Sequence, residues 1–135
     1  MIIDATDLKV GRLATVAAKK ALKGEKVDVI NAEKAVFTGS KQSVVSKYQG
    51  QYQRGRYTKG PYQPRMPDRF VRRIVRGMLP MDTARGREAF RRVMCYTGNP
   101  HNKEGETIRE ANIKNSPTLK VITVKEVCNQ LGGRQ

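Results

Sequence analysis

Histidine occurs once in these 135 residues, cysteine twice, and Asp and Glu together 12 times against 27 Lys and Arg. Each scarcity removes a class of function. Two thiols, Cys95 and Cys128, build neither a disulfide framework nor a four-ligand zinc site, so a reducing, cytoplasmic setting is expected. His101, beside Asn99-Pro100, reads as a loop residue and leaves poor material for a catalytic constellation. Cys95 lies in an apolar, strand-like run and Cys128 on the inward face of a helix, where thiols act as small hydrophobes. The acids are scattered, and Glu104, Glu106 and Glu110 fall in a polar stretch that reads as solvated. No paired-carboxylate site stands out. Mean hydropathy is −0.63 and no apolar run approaches the ~20 residues of a membrane-spanning helix. Met1-Ile2-Ile3-Asp4 has no basic segment ahead of an apolar core, so no secretory signal is expected. A dinucleotide fingerprint fails for want of glycines, since Gly11 stands alone after the first strand. Thr38-Gly39-Ser40-Lys41 has the ending of a phosphate loop, but Lys34 replaces its first glycine and Gln42 its closing Ser or Thr. The helix start at Ser40 stays open, as a plain N-cap or as a backbone phosphate site.

What is abundant is positive charge. The net charge is +15, and a polyanion is the partner that offsets such self-repulsion. The charge is concentrated. Residues 41–92 hold fourteen basic groups, Lys41, Lys47, Arg54, Arg56, Lys59, Arg65, Arg69, Arg72, Arg73, Arg76, Arg85, Arg87, Arg91 and Arg92, against Asp68, Asp82 and Glu88, for a local net of +11. Eleven of the fourteen are Arg, whose planar fork binds phosphate bidentately and stacks on bases. A short charge run is usually a solvated face; this one is too long and too weakly countered, and reads as a binding surface.

The length fits a single α/β domain over residues 1–135. Met1–Ala5 reads as a buried strand. Asp7 is positioned to cap a helix in which Val10, Leu13, Ala14, Ala17 and Ala21 recur at helical spacing, ending near Gly24. Val27–Asn31 is a second strand, which makes a βαβ unit with parallel strands and a right-handed crossover. Ala35–Thr38 is a third strand. Ser40 then opens a helix with Val44, Val45, Tyr48 and Tyr52 on one face.

A Tyr/Arg-rich extension follows at about residues 50–66, broken by Gly and Pro and without apolar periodicity; such loops are functional or disordered. Pro67 suits the first turn of a helix with the stripe Phe70, Val71, Ile74, Val75 and Met78. Thr83 caps a second basic helix, with Ala89, Phe90 and Val93 inward and Arg85, Arg87, Arg91 and Arg92 largely outward. Val93–Tyr96 is a fourth strand. Residues 99–117 read as a surface excursion. Thr123 and Glu126 then form a capping box for a last helix, with Ile122 and Val127 as its hydrophobic staple.

Within the extension, Tyr57 and Tyr62 are the residues placed to stack on unpaired bases, because Tyr48 and Tyr52 fall on the core side of their helix. Charge spread over an arm and two helices suits backbone and shape recognition of folded RNA rather than one DNA-reading helix.

Several of these segments resemble the large-subunit ribosomal protein L-thirteen family. Asp4-Ala5-Thr6, Gly11-Arg12-Leu13-Ala14, Val29-Ile30-Asn31-Ala32-Glu33-Lys34 and Thr38-Gly39 are similar to its N-terminal motifs. Arg76-Gly77-Met78-Leu79-Pro80, Arg85-Gly86-Arg87 and Val93–Gly98 are similar to its central signature. The length and the stretch from Asn99 onward look like the archaeal and eukaryotic branch. The resemblance implies a three-layer α/β/α fold with a small four-stranded parallel sheet. It also implies a non-catalytic protein of the large ribosomal subunit that binds and stabilises 23S-type ribosomal RNA early in assembly. By the same resemblance Arg76, Arg85 and Arg87 are the best phosphate contacts, and Arg12 and Lys41 weaker ones. The expected partners are ribosomal RNA and neighbouring ribosomal proteins, with no cofactor, membrane or small-molecule substrate. Two other readings stay open: a basic nucleic-acid module outside the ribosome, and a small phosphotransfer enzyme using the Ser40 helix start.

Overall fold

The computed structural model describes residues 1–133 except 101, 103 and 116–119. His101, read above as a loop residue, and Pro117, the end of the expected surface excursion, lie outside the described residues.

Helix α1 (Val10–Leu22) turns Val10, Leu13, Ala14, Ala17, Ala18 and Ala21 inward. Four of its thirteen residues are Ala, which favours the helix and lets it lie close on its neighbours. Strands β1 (Ile2–Asp4), β2 (Val27–Ile30) and β4 (Val93–Cys95) form a parallel sheet in the order β1-β2-β4, with Ile3 opposite Val29 and Val29 opposite Cys95. Such short strands hold few ladder bonds each, so packing of their apolar side chains against α1 and α3 (Pro67–Arg76) carries much of the fold. Leu13, Val27, Val29, Val71, Val75 and Val93 are all fully buried in one continuous cluster. Truncating Leu13 to Ala is expected to cost about 2–5 kcal/mol.

The four-stranded parallel sheet does not form. Strand β3 (Val36–Thr38) pairs antiparallel with a strand unforeseen from the sequence, β5 (Val121–Thr123), in a separate two-stranded sheet. Its Val36 amide is taken by the Leu8 carbonyl at 2.9 Å, which ties β3 to the loop after β1 rather than to the main sheet.

In the expected excursion over residues 99–117 most described residues are exposed, but part of it pairs with the body. Glu106 forms a parallel bridge to Ile3, Asn112 an antiparallel bridge to Leu8, and the Ala111 carbonyl accepts from the Lys9 amide at 2.9 Å. The segment sews the open edge of β1 through backbone groups, so its polar side chains gave no sign of it.

Three caps decide where the remaining helices begin. Ser40 Oγ accepts from the Ser43 amide at the start of α2 (Lys41–Tyr52). Thr83 Oγ1 accepts from the Gly86 amide at the start of α4 (Ala84–Arg91), and Thr123 Oγ1 from the Glu126 amide at the start of α5 (Val124–Gln130). Asp7 does not cap α1. It adopts a left-handed φ of 57° and leaves the N-cap position to Lys9.

Candidate nucleic-acid interface

Helices α3 and α4 present most of the arginines. The apolar stripe of α3, Phe70, Val71 and Val75, is buried, which forces Arg69, Arg73 and Arg76 outward. Met78, expected in that stripe, lies beyond the helix end and is 41% exposed. Arg72 is different: half-buried, it donates through Nε to the Val93 carbonyl at 2.9 Å and holds its guanidinium 4.4 Å from the Phe90 ring centre. That side chain ties α3 to β4 and α4.

On α4, Arg85, Arg87 and Arg91 are exposed. Arg85 donates to the Leu22 carbonyl at 3.4 Å and Arg92 to the Ala21 carbonyl at 3.5 Å. Both therefore brace the carbonyl end of α1, where positive charge is favoured. Arg92 is half-buried and pairs with Glu88 at 3.6 Å. Arg87 reaches back to the Asp82 carbonyl at 3.3 Å.

Among the described residues, Lys41 and Arg92 are the members of the fourteen-residue basic set that meet a carboxylate within 4.0 Å. The others face outward, or bond backbone carbonyls and aromatic rings, with their charge uncompensated. An exposed array of this kind raises the local concentration of any polyanion.

The arm is a closed loop rather than a free tail. Arg56 and Gly60 exchange backbone hydrogen bonds at 3.2 and 2.8 Å. Gly55 has φ +97°, and a Cβ there would stand 2.2 Å from the Gly60 carbonyl oxygen. The closure puts Tyr57 at 92% exposure and Tyr62 at 69%, joined by a hydrogen bond from the Tyr62 hydroxyl to the Tyr57 carbonyl at 2.8 Å. Arg54, Arg56 and Lys59 are exposed around them. At the root, Arg65 lies over the Tyr52 ring and bonds its hydroxyl. Tyr48 belongs to the core, packed against Phe37 and Phe70 with ring centres 5.4 and 4.9 Å away.

The outlying candidates are separate from this surface or only border it. Arg12 is exposed and donates to the Glu110 carbonyl at 2.7 Å, and Lys41 pairs loosely with Glu126 at 3.8 Å. Lys47, near the Tyr48 ring, lines clefts on either side of that residue. Lys26 was not singled out from the sequence; it borders a cleft with Arg91 that also contains Asp28 and Glu88. Gln63 and Met66 line the groove beside the α3 arginines and were likewise missed, because neither charge nor periodicity marks them, while Phe90, expected only as an inward residue of its helix, lines it too.

The N-terminal motif residues prove to be structural. Asp4 Oδ1 accepts from the Thr6 amide, the Thr6 hydroxyl and the Asn31 amide group at 3.0, 2.7 and 3.0 Å. Burial pushes the Asp4 carboxyl up, but these hydrogen bonds and the nearby Lys34 charge together hold it below its ordinary value. Glu33 accepts from the Gly98 amide at 3.1 Å. The carboxyl ends of the parallel strands, where α/β proteins commonly bind ligands, are thus bonded to one another. Burial also pushes both thiols, Cys95 and Cys128, up to about 12. No group of three or more His, Cys, Asp or Glu placed to hold a metal occurs among the described residues.

Comparison with known proteins gives a concordant result. The family model described as ribosomal protein L13 matches residues 1–102. Over 97% of this chain and 86% of its own length, the large ribosomal subunit protein uL13 of Methanopyrus kandleri is 46% identical. The protein of the same name from Archaeoglobus fulgidus is 46% identical over 98% of this chain and 88% of its own length. That of Haloarcula marismortui is 39% identical over 100% and 92%.

Proposed function

The chain belongs to the ribosomal protein L13 family, a family of structural rather than enzymatic components, and on that premise we propose that it binds and stabilises large-subunit ribosomal RNA. In this reading it acts early in assembly, in the cytoplasm, beside neighbouring ribosomal proteins. Residues 1–135 serve as one α/β body with the basic extension at about 50–66.

The observation that carries the proposal is the face formed by α3, α4 and the arm, where exposed arginines lack carboxylate partners. Arg69, Arg73, Arg76, Arg85, Arg87 and Arg91 supply phosphate contacts from the two helices, with Arg54, Arg56, Lys59 and Arg65 from the arm. Tyr57 and Tyr62 offer exposed ring faces to unpaired bases. Arg72 and Arg92 act mainly by holding the helices in place, and Arg12, Lys41 and Lys47 contribute at the margins.

The test is sedimentation of tagged protein from cell extract. Co-migration with large subunits through a high-salt wash is expected. A protein found wholly in the free pool contradicts the assignment.

A further inference from the structure

Between α3, the end of α4 and the root of the arm runs an open groove of about 630 Å³. Its wall is basic, with Arg69, Arg73 and Arg76 exposed along it and no acid in its lining. Its floor is not. Phe90 and Arg72 line it as a fixed pair, the guanidinium 4.4 Å from the ring centre and locked by its bond to the Val93 carbonyl. Tyr62 closes the rim with most of its ring exposed.

A double-helical backbone needs charge and shape alone, since its bases are stacked away from the surface. Flat apolar and guanidinium surfaces beside phosphate-binding arginines match an unpaired nucleotide, whose base has a free face and whose phosphates remain charged. The volume lies within the range of pockets that enclose small ligands. Arg72 is already immobilised, so stacking against it costs little further side-chain entropy.

We propose that this groove seats a single unpaired nucleotide of the RNA, its base against Tyr62 and the Arg72–Phe90 pair and its flanking phosphates on Arg69, Arg73 and Arg76. The inference rests on the RNA-binding reading above and adds to it a place and a ligand class. The groove is favoured over the cleft within the arm because its floor is an arginine–aromatic pair held between α3 and α4, whereas beyond Tyr52 that cleft is lined by loop residues.

Fluorescence anisotropy on the full chain tests it with three RNA hairpins of equal length and charge: one with a bulged purine, one with an abasic bulge, one fully paired. The bulged purine is expected to bind about tenfold or more tightly than either of the others. Tyr62→Ala, at an exposed position, and Phe90→Leu, which keeps an apolar side chain, are each expected to shrink that preference while leaving the salt dependence unchanged. Equal, salt-sensitive binding of all three hairpins by the parent protein overturns the nucleotide site and leaves RNA binding intact. Undiminished preference in both variants overturns it as well. Failure to bind any hairpin at low salt removes both the site and the reading on which it rests.

Discussion

Gly86 stands between Arg85 and Arg87, and its role differs from theirs. A Cβ at that position would lie 1.9 Å from the Pro80 carbonyl oxygen, while the Gly86 amide is held by Thr83 Oγ1. Backbone, not a flexible side chain, blocks the space. Gly86→Ala is therefore expected to lower stability by about 1–3 kcal/mol or more in urea denaturation, and an unchanged midpoint would show that α4 can shift freely. Asp4 gives a pH-dependent counterpart. Its folded carboxyl titrates below the ordinary value of 3.8, so the ionised form stabilises the fold above that value. The contribution is lost as the pH falls through the lower, folded value. Asp4→Asn should flatten the acid limb of a stability–pH curve, and a curve as steep as that of the parent protein sinks the assignment. The buried thiols stay protonated at neutral pH. Native protein should resist alkylation at Cys95 and Cys128 until denaturant is added, and rapid native labelling would contradict their burial.

Among the elements, the arm and α4 separate binding from stability in different ways. The arm closes on itself at Arg56 and Gly60, and its tip has little to bury. Replacing residues 56–60 with two glycines should leave the unfolding midpoint within about 0.5 kcal/mol of the parent while weakening RNA binding; a large loss of stability would make the arm part of the core. Helix α4 cannot be removed so cleanly, since Arg85 and Arg92 also hold the end of α1. Charge reversal of Arg85 and Arg87 together should weaken RNA binding and reduce the log–log salt slope by roughly 0.7–0.9 for each lost phosphate contact. An unaltered slope would place both residues outside the interface.

For the whole molecule, the division is between an apolar body and a cationic flank. The fully buried residues are hydrophobic, with no buried charged side chain among the described residues, so the charge acts only at the surface. Six or more phosphate contacts would reduce affinity for ribosomal RNA by about a thousandfold or more between 50 and 200 mM salt. A shallow titration over that range would assign most of the arginines another task.

Residues near one another in sequence settled much of this protein without help from the rest of the chain. Helical spacing placed α1, α3 and α4, capping side chains fixed three helix starts, and the density of Arg marked the binding flank, because each depends on contacts within a few positions. The sheet was another matter. Val36–Thr38 has equal local reasons to join either sheet, and its antiparallel match to Val121–Thr123 depends on a partner some eighty residues away. Residues 105–113 gave no hint that their backbone borders β1 and the loop after it, since main-chain pairing leaves little trace in side-chain type. The same holds for the groove. Arg72 looked like one more cation until the fold brought Phe90 and the Val93 carbonyl against it, and only that long-range packing separates a structural arginine from its exposed neighbours.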